Sequence, residues 1–205
     1  MRAKYLTEDE IQRLRRAAGW AAWLPFAVSI YTGLRIDDVL ALRTDNVKEG
    51  HVLYVAKKTG KIGVTELPDR LARGLTLWAR DGWCFPGRKP GKHLTRQAAW
   101  YRIKAAAKRA GLDPDGISPH SLRKVFAVGE YRATHNLNKV RVHLQHDRIE
   151  TTLLYALSDQ LREEDETPYM AFSDQWGEEE EAPPISLAHP RRTGAGGVDL
   201  PSGEA

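Results

Sequence analysis

The stretch HLQHDRIETTLLYAL, residues 143–157, sets two histidines three apart and then a tyrosine among leucines. Leu153, Leu154 and Leu157 are enough to hold a helix by packing, so Tyr155 is either filler or a hydroxyl nucleophile. His143 and His146 could form half of a metal site with Cys84 as a third ligand, but no paired Cys/His set stands elsewhere at the spacing zinc sites use. A serine hydrolase is also poorly supported, because no G-x-S-x-G elbow is present.

Three further clusters each carry a cationic side chain. In SPHSLRK, Ser118 suits an N-cap and Pro119 the first helical position, so His120 and Arg123 share one face of a first turn. Free N–H groups, a histidine and a guanidinium at a helix start can clamp a phosphate oxygen; on its own the tetrapeptide reads by default as surface. In TGLRIDD, Gly33 ends one helix and Arg35 opens the next beside Asp37 and Asp38, where a carboxylate can fix an inward-pointing arginine fork, though in isolation a capped surface arginine is the default reading. In AKKTGK, Lys57, Lys58 and Lys61 crowd a turn, and a lysine on such a tip can donate a proton to a leaving oxygen.

The elements that must position these residues are mostly helices. Thr7 and Glu10 form a capping box that opens a helix through IQRLRRAA to Gly19. AAWLPFAVSIYTG is a buried apolar helix interrupted by Pro25, and LRIDDVLALR a short helix. HVLYVA and IGVTELP are two strands joined by the basic turn, a hairpin with a cationic tip. DRLARGLTLWARD is helical and WCFPGRKPGKH a loop. Thr95 caps a long basic helix that ends at Gly111, and from Ser118 the chain is helical again. The expected fold is α+β, mainly helical, with a small antiparallel hairpin. Residues 173–205, poor in apolar side chains and rich in Gly, Pro and charge, are expected to be a disordered acidic tail after a domain over residues 1–172.

Taken in order, Arg35, Lys58, His120-x-x-Arg123, His146 and Tyr155 resemble the catalytic domain of the tyrosine recombinases, the phage integrase family. The matching stretches are TGLRIDDVLALRTDNV, AKKTGKIGVTELP, SPHSLRK and HLQHDRIETTLLY, across about residues 5–160. Asp38 stands where the family usually has glutamate, keeping the charge on a shorter arm, and Gln145 where it usually has glycine. The resemblance implies the family's catalytic-domain fold and a site-specific recombinase that cuts and rejoins double-stranded DNA through a 3′-phosphotyrosine on Tyr155. It implies Arg35 and Arg123 as phosphate clamps, His120 as base, Lys58 (with Lys57 and Lys61 as alternatives) as general acid, His146 as a further hydrogen-bond donor and Asp38 in support. No cofactor or metal is required. Two other readings use the same scaffold: a type IB topoisomerase, and a DNA-binding regulator without catalysis.

The implied partners are DNA and further copies of the chain, up to a tetrameric synapse. Residues 1–6 hold no core-binding domain, so this is either an excised catalytic domain, helped by that domain or an accessory DNA-binding protein, or a short member like the fimbrial-switch invertases. The charge pattern suits a polyanion. Residues 1–165 carry 29 Lys+Arg against 19 Asp+Glu, whereas residues 166–205 carry 2 against 8, so a basic body precedes an acidic tail. No apolar run is long enough to span a bilayer, no secretory leader is visible and the single cysteine excludes an internal disulfide; a cytoplasmic, membrane-free protein is expected.

Overall fold

The computed structural model describes residues 3–144. His146, Tyr155 and the stretch 173–205 expected to be a tail lie outside the described residues. The chain runs α1 (Glu8–Ala18), α2 (Trp20–Thr32), α3 (Ile36–Leu40), a 3-10 turn at Thr44–Asn46, β1 (Val47–Lys48), β2 (His51–Val55), β3 (Ile62–Glu66), α4 (Asp69–Leu77), α5 (Arg96–Arg109), α6 (Pro119–Thr134) and α7 (Leu137–His143). This is the mainly helical α+β arrangement expected.

The capping box forms as the sequence implies: Glu10 N–H donates to Thr7 Oγ1 at 3.3 Å and Thr7 N–H to Glu10 Oε2 at 3.1 Å. Such a cap is worth about 1 kcal/mol. α2 differs from the expectation, because Pro25 does not interrupt it. Pro25 sits in the second turn, and the carbonyl it deprives of a partner belongs to Ala21, an exposed residue whose carbonyl water can satisfy. α2 is the centre of the molecule, with Trp23, Phe26, Ala27, Val28 and Ile30 fully buried. It packs on α1, α3, α4 and α6, while α1 also lies along α5. Burying one aromatic or long aliphatic side chain here contributes about 1.5–3 kcal/mol.

The hairpin gains a strand that the sequence did not announce. β1, only two residues long, pairs with β2, giving an antiparallel sheet in the order β1-β2-β3 with Leu53 opposite Val64 and Val55 opposite Ile62. Period-two alternation puts Val52 and Tyr54 inward and leaves Leu53, Val55, Ile62 and Val64 exposed. In the turn, Thr59 N–H and Gly60 N–H both donate to Ala56 O, and Gly60 takes φ 69°.

Cys84 is buried in the main core, and burial pushes its thiol up to about 12. A thiol held protonated is a poor metal ligand. His143 is exposed and sets its ring 6.2 Å from that of Phe126, a member of the second, smaller cluster of Phe126, Ala127, Val140 and Leu144, so Cys84 and His143 belong to different regions of the molecule.

Candidate active site

The site is assembled from two turns and one helix start. α2 ends at Gly33, whose φ of 65° is the left-handed conformation that glycine adopts without steric cost. The turn is bonded on every side: Ser29 Oγ donates to Leu34 O at 2.9 Å, Thr32 Oγ1 to Val28 O at 2.6 Å, and Leu34 N–H to Thr32 Oγ1 at 3.2 Å. Arg35 then takes an extended conformation and starts α3, half-buried.

α6 begins at Pro119, with the Ser118 N–H donating to Ser121 Oγ at 3.2 Å. Its first turns carry His120 and Arg123. Arg123 is buried, 4% exposed. Its Nη1 donates to Gly33 O at 2.6 Å and its Nη2 to Leu144 O. One guanidinium therefore ties the Arg35 turn, the start of α6 and the end of α7, immediately before the segment that carries His146.

His120 is exposed, yet protein around the ring and the positive charges of Arg123, Arg96 and Arg35 lower its pKa below the ordinary 6.5, with Asp37 acting the other way. Desolvation is the largest cause. The imidazole is thus neutral at physiological pH and has a nitrogen able to accept a proton. The folded state holds this proton less tightly than the unfolded chain, so His120 subtracts stability as pH falls below 6.5. An NMR titration of His120 is expected to place its midpoint below 6.5, and Arg96→Gln to move the midpoint up. An unchanged midpoint in the variant would show that Arg96 is too distant to matter.

Asp38 is buried, and its Oδ1 accepts the Lys57 N–H at 2.9 Å. Among the described residues no hydrogen bond or ion pair joins Asp38 to Arg35. The support expected for the Arg35 fork is a tie to the hairpin instead: it fixes the base of the turn on α3, one residue before Lys58. Lys57, Lys58 and Lys61 are all exposed, with Lys58 at the tip.

The fold therefore brings Arg35, His120 and Arg123 together and anchors the turn of Lys58 to the same short helix. His146 and Tyr155 lie outside the described residues. One charged member was missed by sequence reasoning. Arg96, in the first turn of α5, pairs with Asp37 at 3.3 Å and influences His120. Thr95, which caps α5 by accepting the Ala98 N–H, marks where that helix starts. Nothing local indicates that this start faces α3.

Comparison with known proteins follows this geometry. The model of the phage integrase family matches residues 4–162. Tyrosine recombinase XerD of Vibrio vulnificus is 30% identical over 137 residues, covering 60% of this chain and 44% of its own length. The chain thus spans about half the length of the curated relatives it matches. Among solved structures, the XerH site-specific recombinase in a post-cleavage complex with a palindromic difH substrate has a TM-score of 0.64 at 21% identity, over 79% of this chain and 52% of that one. The catalytic domain of bacteriophage HP1 integrase has a TM-score of 0.56 at 23% identity, over 78% of this chain and 91% of that one. These structures share the fold of the tyrosine recombinase catalytic domain, and on the family match the chain belongs to the phage integrase family.

Proposed function

We propose that this chain is the catalytic domain of a site-specific DNA recombinase, cutting and rejoining double-stranded DNA through a 3′-phosphotyrosine on Tyr155. The observation that carries the reading is the convergence of Arg35, His120 and Arg123 around one Gly33 turn, in a chain whose family match continues through Tyr155.

Attack of a phenol on a phosphodiester builds negative charge on the non-bridging oxygens, and fixed guanidiniums stabilise that charge without reorganising. Arg35 and Arg123 take this role. Arg123 is the more rigid, because two carbonyls orient its fork. The phenol of Tyr155, with a reference pKa of about 10, needs a base. His120, kept neutral by the protein around its ring and then by its cationic neighbours, accepts that proton. Lys58, on a tip whose base Asp38 holds, donates a proton to the departing 5′-oxygen, and His146 hydrogen-bonds a non-bridging oxygen. A 5′-hydroxyl on a new partner then reverses the attack, so the phosphodiester energy is conserved in the protein–DNA bond. Joining two sites calls for further copies of the chain on DNA, a tetrameric synapse in the full reaction. A core-binding domain or accessory DNA-binding protein supplies the rest of the grip.

A nicked suicide substrate tests the reading in excess EDTA. A covalent DNA adduct is expected on denaturing gels, and mass spectrometry is expected to place it on the tryptic peptide 149–162, which contains Tyr155. Tight DNA binding without adduct would point to a non-catalytic regulator. Relaxation of any plasmid without pairing of sites would point to a type IB topoisomerase.

A further inference from the structure

The joint between α6 and α7 contains a mostly buried carboxylate that packing does not require. Phe126, Val140 and Leu144 already supply an apolar seam there. Glu130 nevertheless faces it, with its side chain 14% exposed. Lys139 Nζ lies 3.2 Å and His143 Nδ1 3.3 Å from the same oxygen, Oε1. That oxygen is hidden from water and neither nitrogen meets it at a hydrogen-bonding angle. A buried carboxylate oxygen is costly unless compensated, so this one depends on the Lys139 ammonium and the adjoining imidazole. An apolar side chain would pack here at less cost, but would not fix how far α7 is shifted along α6, whereas an ion pair has one favourable register.

We propose that Glu130 is a positioning residue: through Lys139 and His143 it sets the place and register of α7, and so the point from which the segment bearing His146 and Tyr155 departs. The geometry downstream is consistent with this. His143 is the last residue of α7, its ring lies 6.2 Å from that of Phe126, and the next residue, Leu144, gives its carbonyl to Arg123. A slip of α7 therefore shifts the Arg123 anchor as well. Of the two histidines three apart, His143 is assigned to this clamp rather than to a metal. Its consequence for catalysis rests on the reading of His146 and Tyr155 given above; the clamp itself does not.

Hydrogen exchange by mass spectrometry on the whole chain, with peptides from α1 as the folding control, tests this. In Glu130→Gln the protection of residues 137–144 is expected to fall about tenfold, as a mostly buried charge contact disappears. Glu130→Asp is expected to restore part of it. Suicide-substrate adduct formation is expected to slow in Glu130→Gln by a similar factor, with DNA affinity unchanged. Unaltered exchange in Glu130→Gln overturns the clamp, and looser α7 with a full adduct rate overturns its role in positioning the segment. If the wild-type chain forms no adduct, the tyrosine reading is what fails, and the exchange measurement still decides whether Glu130 positions α7.

Discussion

Arg123→Ala is expected to lose both the covalent adduct and a large part of the stability. The guanidinium is buried and donates to Gly33 O at 2.6 Å and to Leu144 O. Truncation leaves two buried carbonyls without that donor and a cavity behind them. Each unsatisfied group costs about 1–3 kcal/mol, so a loss of about 3–4 kcal/mol is expected in urea unfolding. Loss of a fixed positive charge at a developing oxyanion costs about 10²–10³ in rate. Arg123→Lys separates the two effects. An ammonium retains the charge, and so most of the DNA affinity, but cannot span two carbonyls with a planar fork. Its adduct rate is expected to fall nearly as far as that of the alanine variant, with about half the loss in stability. A lysine variant within twofold of wild type in rate would show that charge alone, not the fork, is needed.

The second large effect is expected at Gly33. A Cβ there would lie 2.4 and 2.6 Å from the Cδ1 and Cε1 atoms of Phe126, whose ring is 5% exposed and has little room to retreat. The left-handed φ of 65° adds a penalty of about 1 kcal/mol for alanine. Overpacking adds about 1–3 kcal/mol. Gly33→Ala is thus expected to lose about 2–4 kcal/mol and, because Gly33 O orients Arg123 while Arg35 follows two residues later, to slow adduct formation as well. Adding Phe126→Leu to Gly33→Ala should recover the packing part and leave the backbone part. Equal midpoints for Gly33→Ala and wild type in urea would mean that the turn relaxes freely.

The parts legible in the sequence were those encoded within one turn or one hairpin. Thr7 and Glu10 announced a cap, the alternation in HVLYVA and IGVTELP announced two strands, and Ser118-Pro119 announced a helix start that places His120 beside Arg123. The features that stayed hidden depend on distant partners. β1 is too short for any period to show. Pro25 signals a break, but which carbonyl it orphans, and whether water reaches it, is set by the tertiary fold. The Asp38 tie spans 19 residues and the Arg96–Asp37 pair spans 59. Neither partner carries a local mark of the other. The family resemblance named Arg35, Lys58, His120 and Arg123 as a set, but gave no hint that Asp38 would grip the hairpin or that Glu130 would hold α7.

The bond from Arg123 to Gly33 also orders events in time. The two residues are 90 apart in the chain. At synthesis rates of about 5–20 residues per second, the arginine emerges on the order of ten seconds after the turn it closes. A nascent chain therefore presents Arg35 on an unfinished pocket for that interval, and Tyr155 is made later still. A half-made protein lacks the proposed nucleophile: Tyr155 is translated only after every other proposed catalytic group.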